Sequence, residues 1–277
     1  MPLYLALILA IFQGVAEFLP ISSSGHLRIL EAVSGIGEPQ MLFDVMLHLG
    51  TLVAVIWVYR ELLGRMLHAV IAALRAPSRL GASYRESPDF RLFVLTCLGM
   101  VPTTLIALAL AAVSREWTRS LVLVGCGLLI TSVLLTVLGR LLGRRAPGEG
   151  RDLAAMTWRD ALIIGTFQGG SAAFRGVSRS GSTITAGVLV GLRQDAAAAF
   201  SFMLSIPAIL GALVLALKDT HEVGDVLVPG IIGAVVAAAV GIVALKLLLK
   251  MLGRGRLGLF AIWTAAVGTF AIIWALR

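Results

Sequence analysis

Charge is scarce in this chain. Of its 277 residues only 14% are Asp, Glu, Lys or Arg, whereas 58% are hydrophobic, and the mean hydropathy is +0.96. A water-soluble domain cannot hide that much apolar surface, so a soluble enzyme is ruled out and the solvent is lipid. Cysteine is nearly missing as well. Cys97 and Cys126 stand singly in apolar runs, without a paired motif or metal-ligand spacing, and are expected to pack in the core. The first apolar segment lacks a basic stretch ahead of it, and a polar cluster sits where a small-residue cleavage site belongs. It is therefore not read as a cleavable signal peptide.

The charge that is present is mostly basic, with 23 Lys and Arg against 15 Asp and Glu, a net of +8. Its distribution argues against nucleic acid as a partner, because the arginines collect between apolar runs. Six runs are long and apolar enough to cross a bilayer as helices, at 41–59, 92–113, 120–139, 196–217, 226–249 and 257–276. Three connecting loops are rich in basic residues. Loop 60–91 holds Arg60, Arg65, Arg75, Arg79, Arg85 and Arg91, and loop 140–159 holds Arg140, Arg144, Arg145, Arg151 and Arg159. The third, 246–256, holds Lys246, Lys250, Arg254 and Arg256, while 114–119 and 218–225 carry fewer. Placing the three basic loops in the cytoplasm requires no run to be added or dropped.

Two segments remain, 3–33 and 161–192, each apolar but interrupted near its middle by serine, glycine and charge. Irregular backbone survives within a bilayer only where protein or a wet cavity satisfies it, which predicts two re-entrant hairpins of broken helices. Counting sides then starts the first hairpin outside and the second inside, with three spans after each. The expected architecture is an all-α polytopic membrane protein: a single membrane domain, 1–277, of six transmembrane helices and two re-entrant hairpins. Its halves, about 1–140 and 155–277, form an inverted repeat. Short sequence echoes support the pairing: Gln13-Gly14 recurs as Gln168-Gly169, and "SSSG" at Ser22–Gly25 as "SRSG" at Ser178–Gly181, at offsets differing by a single residue. Such repeats place a binding site near the midplane, where the breaks meet.

The polar residues in the breaks are the candidates for chemistry. Gln13 and Glu17, four apart, share a face of the first half-helix, which Pro20 stops. Ser22, Ser23, Ser24 and Gly25 make the turn, and the next half-helix starts near His26. In the second segment Ser178, Arg179, Ser180, Gly181, Ser182 and Thr183 take the corresponding place. Hydroxyls and glycine ahead of a helix cap it and leave N–H groups facing an anion, and a guanidinium makes that a phosphate site. Ser-Ser-Ser-Gly alone is ordinarily just a capped turn, and Arg179 alone has a second reading as a snorkelling residue, but an intramembrane carboxylate such as Glu17 is functional by default. His26 either assists proton transfer or caps and packs. Asp44 and His48 either support the site or pair with each other. Arg28 and Glu31 read as rim residues, and Arg175 either adds charge to the pocket or snorkels. Carboxylate, histidine, hydroxyls and arginine together are the parts of a phosphoryl-transfer site, to which Glu17 and Gln13 add a place for a divalent metal.

"QGVAEFLPISSSGH" at 13–26 and "SRSGST" at 178–183 together resemble the undecaprenyl-diphosphate phosphatase family, the bacitracin-resistance membrane phosphatases. The likeness runs nearly the whole chain, through "FDVMLHLGTLVAV" at 43–55, "GMVPT" at 99–103 and "FSFMLSIPAILGA" at 200–212. It implies hydrolysis of undecaprenyl diphosphate to undecaprenyl phosphate and inorganic phosphate in the bacterial inner (plasma) membrane. That reaction recycles the lipid carrier of cell-wall peptidoglycan synthesis. It implies catalytic roles for Glu17, His26, Ser23, Ser178 and Arg179, and phosphate contacts from Ser22, Ser24, Gly25, Ser180, Gly181 and Thr183. A divalent cation (Mg or Ca) and a pocket on the outer side are implied too. The chain departs from the family where "FRGVSRS" puts Arg175 in the place of a proline, and the stretch from Gln168 to Ser178 is one residue longer. Gln13 in place of a glutamate leaves one carboxylate instead of two. The rival reading is a polyprenyl-phosphate flippase or transporter, since inverted repeats with midplane breaks are transporter architecture. An intramembrane serine protease fits poorly, because His26 adjoins its serines. A homo-oligomer is compatible with the sequence and not legible in it.

Overall fold

A computed structural model describes residues 2–34, 41–117, 120–146, 148–219, 224–253 and 257–277. Within these the chain is helical: α1 Leu3–Ala16, α2 Ser23–Ser34, α3 Met41–Val58, α4 Arg60–Arg75, α5 Leu80–Glu86, α6 Pro88–Trp117 and α7 Leu121–Gly143. Then follow α8 Trp158–Ala173, α9 Arg179–Leu189, α10 Gln194–Asp219, α11 Gly224–Leu252 and α12 Gly258–Ala275. Five stretches are long and apolar enough to cross a bilayer: Pro88–Leu110, Leu121–Gly143, Gln194–Val214, Val226–Leu252 and Gly258–Ala275. A sixth arises only when Leu42–Val58 and Arg60–Arg75 are taken as one span, bent by 81° at Tyr59.

That bend corrects the expectation of a loop at 60–91. The segment is helical through α4, a 3₁₀ turn at Pro77–Arg79, and α5. Leu62, Leu63 and Met66 of α4 pack on the main core, a helical spacing that the arginines between them mask in a hydropathy reading. Arg65 reaches Asp89 at the start of α6 at 3.5 Å. Lys246 and Lys250 likewise belong to the last turns of α11 and not to a loop, while Arg254 and Arg256 and the Glu31 side chain lie outside the described residues. The cysteines also differ from expectation. Cys97 and Cys126 are exposed on α6 and α7, because in lipid a small apolar side chain has no need of a protein interior.

Helices in lipid associate through close backbone approach, and glycine supplies it here. A side chain on Gly125 of α7 would lie 2.7 Å from the Gly268 carbonyl of α12, and one on Gly165 of α8 would run into Gly99 of α6. Four pairings organise the fold: α3 against α11, α7 against α12, α8 against α6, and α1 against α11, the last closed at Gly14 upon Ala237 and Val240.

The second broken segment, α8 with α9, is a closed hairpin. Thr157 opens α8 with a capping box to Asp160. Arg151, from the basic loop before it, binds both Asp160 oxygens at 2.8 and 3.0 Å. The same guanidinium donates to the Val190 carbonyl just beyond α9 at 2.6 Å. Arg145 donates to the Val188 and Leu192 carbonyls at 2.7 and 3.0 Å. Entry and exit of the hairpin are therefore clasped together, and the carbonyls left over at the end of α9 find donors.

Candidate active site

In the first hairpin, α1 holds Gln13 and Glu17 one turn apart, and the backbone then tightens toward Pro20. The Ile21 N–H reaches the Leu19 carbonyl at 2.7 Å. Ser22 follows with φ of 70°, the one non-glycine residue in the left-handed region among the described residues. Holding a serine there costs about 1–3 kcal/mol and persists only where surroundings over-determine it. They do here. The Ser22 hydroxyl accepts the Gly25 N–H at 3.3 Å, capping α2. Its carbonyl accepts both the His26 N–H at 3.2 Å and His26 Nδ1–H at 3.0 Å.

The second hairpin turns at Gly176, whose φ of 95° suits glycine. Thr131 of α7 braces that turn: its hydroxyl donates to the Gly176 carbonyl and accepts the Ser178 N–H, both at 2.8 Å. Ser178 then caps α9, its hydroxyl accepting the Gly181 N–H at 3.1 Å. The two turns touch. A side chain on Gly25 would lie 2.8 Å from the Gly176 Cα, and one on Gly181 would lie 3.4 Å from Pro20.

This contact brings an acid from one hairpin onto a guanidinium from the other. Arg179 Nη2 donates to Glu17 Oε1 at 2.7 Å. The other carboxylate oxygen accepts from Gln13 Nε2 at 3.0 Å and from the Ser23 hydroxyl at 2.9 Å. His48 Nε2 stands 3.6 Å from it. Glu17 is 8% exposed, so the pair is desolvated, and its persistence rests on these extra hydrogen bonds. Arg179 also lies over the Phe202 ring, 5.9 Å from its centroid. Two polar atoms of the cluster are buried without a partner, Arg179 Nη1 and Gln13 Oε1. One is a spare donor and the other a spare acceptor, which equips the site for a further polar group.

Gln13, Glu17, Ser23, His48 and Arg179 thus converge. His48 does so as more than a neighbour of Asp44: its Nδ1–H is held by the Asp44 carbonyl at 2.7 Å, which aims Nε2 at Glu17. Asp44 is half-buried, one turn before His48 on α3. Arg175 is half-buried in the turn that precedes α9. Ser24 sits partly exposed in the first turn of α2.

Other candidates face elsewhere. The His26 ring is committed on both sides, since its Nε2 accepts the Trp263 indole N–H of α12 at 2.9 Å. The Thr183 hydroxyl donates to the Arg179 carbonyl at 2.8 Å and pairs with Ser201 of α10 at 2.5 Å. The Gly181 and Ser182 N–H groups are already taken by Ser178, so the donors that α9 leaves without an intrahelical acceptor are those of Arg179 and Ser180. The Ser180 hydroxyl lies 3.4 Å from that of Ser178. Trp263, Phe202 and Thr131 escaped the sequence reading. An indole within an apolar run signals only an interfacial anchor, and Phe202 and Thr131 carry no local signal.

Known proteins bear on this arrangement. A family model described as bacitracin resistance protein BacA matches residues 6–270. The chain is 40% identical over 274 residues to an undecaprenyl-diphosphatase of Rhodopirellula baltica, covering 98% of this chain and 97% of that one. It is 37% identical over 271 residues to an undecaprenyl-diphosphatase of Desulfatibacillum aliphaticivorans, covering 96% of both. A third protein of that name, from Alkaliphilus metalliredigens, is 35% identical over 281 residues and aligns over 100% of each chain.

Proposed function

The chain belongs to the bacitracin resistance protein BacA family, and we propose that it hydrolyses undecaprenyl diphosphate to undecaprenyl phosphate and inorganic phosphate. In the cell this recycles the lipid carrier of peptidoglycan synthesis. The observation that carries the reading is the shared carboxylate: Glu17 binds Arg179 on one oxygen and the Ser23 hydroxyl on the other.

Arg179 offers its free Nη1 and the N–H groups at the start of α9 to the terminal phosphate, where a guanidinium fork and a helix N-terminus favour the same anion. Diphosphate oxygens compete with Glu17 for that guanidinium. As Arg179 turns to the phosphate, Glu17 is freed to take the proton of Ser23, 2.9 Å away. The Ser23 oxygen then attacks the terminal phosphorus, and the bond from that phosphorus to the bridging oxygen breaks. Undecaprenyl phosphate leaves carrying the bridging oxygen, and water later cleaves the phosphoserine to restore Ser23 and release phosphate. His48, in its protonated form, would steady Glu17. Ser178, already capping α9, serves as scaffold.

The family resemblance implies a divalent cation. Among the described residues no three His, Cys, Asp or Glu side chains converge, so an all-protein cage is not built. The Glu17 carboxylate and the unpartnered Gln13 Oε1 are oxygen donors of the kind that a hard cation takes. Gln13 and Glu17 would hold it, and it would supply positive charge to the phosphate oxygens.

We place the protein in the bacterial plasma membrane, with 60–91, 140–159 and 246–256 cytoplasmic and the pocket facing outward. The clasp of both ends of the second hairpin by Arg151, from a basic loop, supports this. The inverted repeat of 1–140 and 155–277 is supported by a reciprocal exchange: α1 packs on α11 of the other half and α8 on α6. Purified protein in detergent, given undecaprenyl diphosphate, is expected to release phosphate and to acquire a phosphoserine at Ser23 on rapid quenching. No release, with faster transfer of lipid phosphate between vesicle leaflets, would instead make it a flippase.

A further inference from the structure

Trp263 lies far along the chain from the first hairpin, yet it reaches into its turn. The indole and the His26 imidazole are nearly parallel, 7° apart with centroids at 6.1 Å. The indole N–H donates to the imidazole Nε2 at 2.9 Å. An indole N–H only donates, so Nε2 must be bare and the ring proton must sit on Nδ1. Nδ1–H in its turn donates to the Ser22 carbonyl at 3.0 Å. Ser22 is the left-handed residue immediately before Ser23, whose hydroxyl meets Glu17 at 2.9 Å. The Phe12 ring, 5.8 Å away, closes a further side of the imidazole.

We propose that Trp263 is a positioning residue for the Ser23–Glu17 pair, acting through His26. Its N–H fixes the imidazole as the Nδ1–H tautomer and in one orientation. The fixed imidazole grips the Ser22 carbonyl, and the gripped carbonyl holds the strained turn that aims Ser23 at the carboxylate. A carbonyl anchored by a rotating ring would leave Ser23 free to swing, and a misplacement of about 1 Å at a reacting group can cost roughly a hundredfold in rate. The kinetic part of this assignment rests on the phosphatase reading; the tautomer does not.

Both parts are tested on the full-length protein. Trp263 is 52% exposed, so phenylalanine is accommodated in its place without a cavity. With the chain labelled by ¹⁵N-histidine, the signal that disappears in His26→Ala is expected to show a protonated Nδ1 and a bare, hydrogen-bonded Nε2. In Trp263→Phe the Nε2 resonance should shift toward that of a free imidazole. A proton found on Nε2 in the unmodified protein overturns the assignment, because the indole would then have no acceptor. In the phosphate-release assay, Trp263→Phe is expected to lower kcat by about tenfold to a hundredfold while KM stays within about twofold. Placed in a His26→Ala background it should have no further effect, since it acts through that ring. Losses that multiply, or a change confined to KM, overturn the role of Trp263. An unmodified protein that releases no phosphate sinks the phosphatase reading and leaves the tautomer result standing.

Discussion

The two broken segments do the same geometric job by different means. The second hairpin is a rigid block: Ser180 to Val188 of α9 are all buried. Its turn is braced by Thr131, and its two ends are clasped by Arg151. The first hairpin is held at its turn. It rests on a strained Ser22 and on hydrogen bonds that radiate from one imidazole. The guanidinium is thus mounted on the clasped hairpin, and the acid and hydroxyl on the one held at its turn. Charge that must meet a phosphate at a fixed point benefits from preorganisation, and so do the groups that exchange a proton.

That contrast makes graded expectations. Arg179→Ala removes the guanidinium and leaves Glu17 buried beside no cation, so phosphate release should fall by about 10³-fold or more. Arg179→Lys should recover only a small part, since an ammonium cannot bind Glu17 and phosphate as a fork. If lysine restores most of the activity, the rigid mounting of the fork is irrelevant. Glu17→Gln keeps the shape and loses the proton acceptor, for a fall of about 10²–10⁴-fold in kcat.

Arg151→Ala attacks the clasped hairpin away from the chemistry. It should lower stability by about 2 kcal/mol by leaving Asp160 without its partner, read as a lower melting temperature in detergent, with a smaller loss of activity. A pH signature accompanies it. Burial raises the Asp160 carboxyl, but the hydrogen bonds from Arg151 and Thr157 and the charge of Arg151 outweigh it and hold it below the usual carboxylate range. A carboxyl depressed by folding stabilises fully above its unfolded value, about 3.9, and this is lost as pH falls through the folded value. The unmodified protein should therefore lose stability on acidification more steeply than Arg151→Ala. Ser22→Gly makes the smallest change. Relief of the left-handed strain and loss of a cap nearly cancel, leaving stability within about 1 kcal/mol, while kcat falls because the turn is less pinned. An unchanged kcat would mean that the first hairpin needs no pinning.

Much of this was readable in the chain because it is encoded locally. Pro20, the serine clusters and the glycines break the helices where they stand, and spacing of four puts Gln13 on Glu17. What was not readable depends on contacts across the fold. The amphipathic α4 hid behind its arginines. His26 takes its role from Trp263, and Thr183 from Ser201, partners that no periodicity announces. The Gly181 and Ser182 N–H groups are taken by the Ser178 hydroxyl and carbonyl, a use that depends on how the turn closes and not on spacing.

Glu17 and Arg179 are 162 residues apart in the chain. At roughly 5–20 residues per second, a ribosome takes on the order of 10–30 s to deliver the arginine after the glutamate. For that interval the acid belongs to a nascent membrane protein with no counter-ion made. Until then an unpaired carboxylate is costly in hydrocarbon, which favours docking of the first hairpin after the second is made. A turn held largely by its own hydrogen bonds suits a piece that docks onto a partner translated after it.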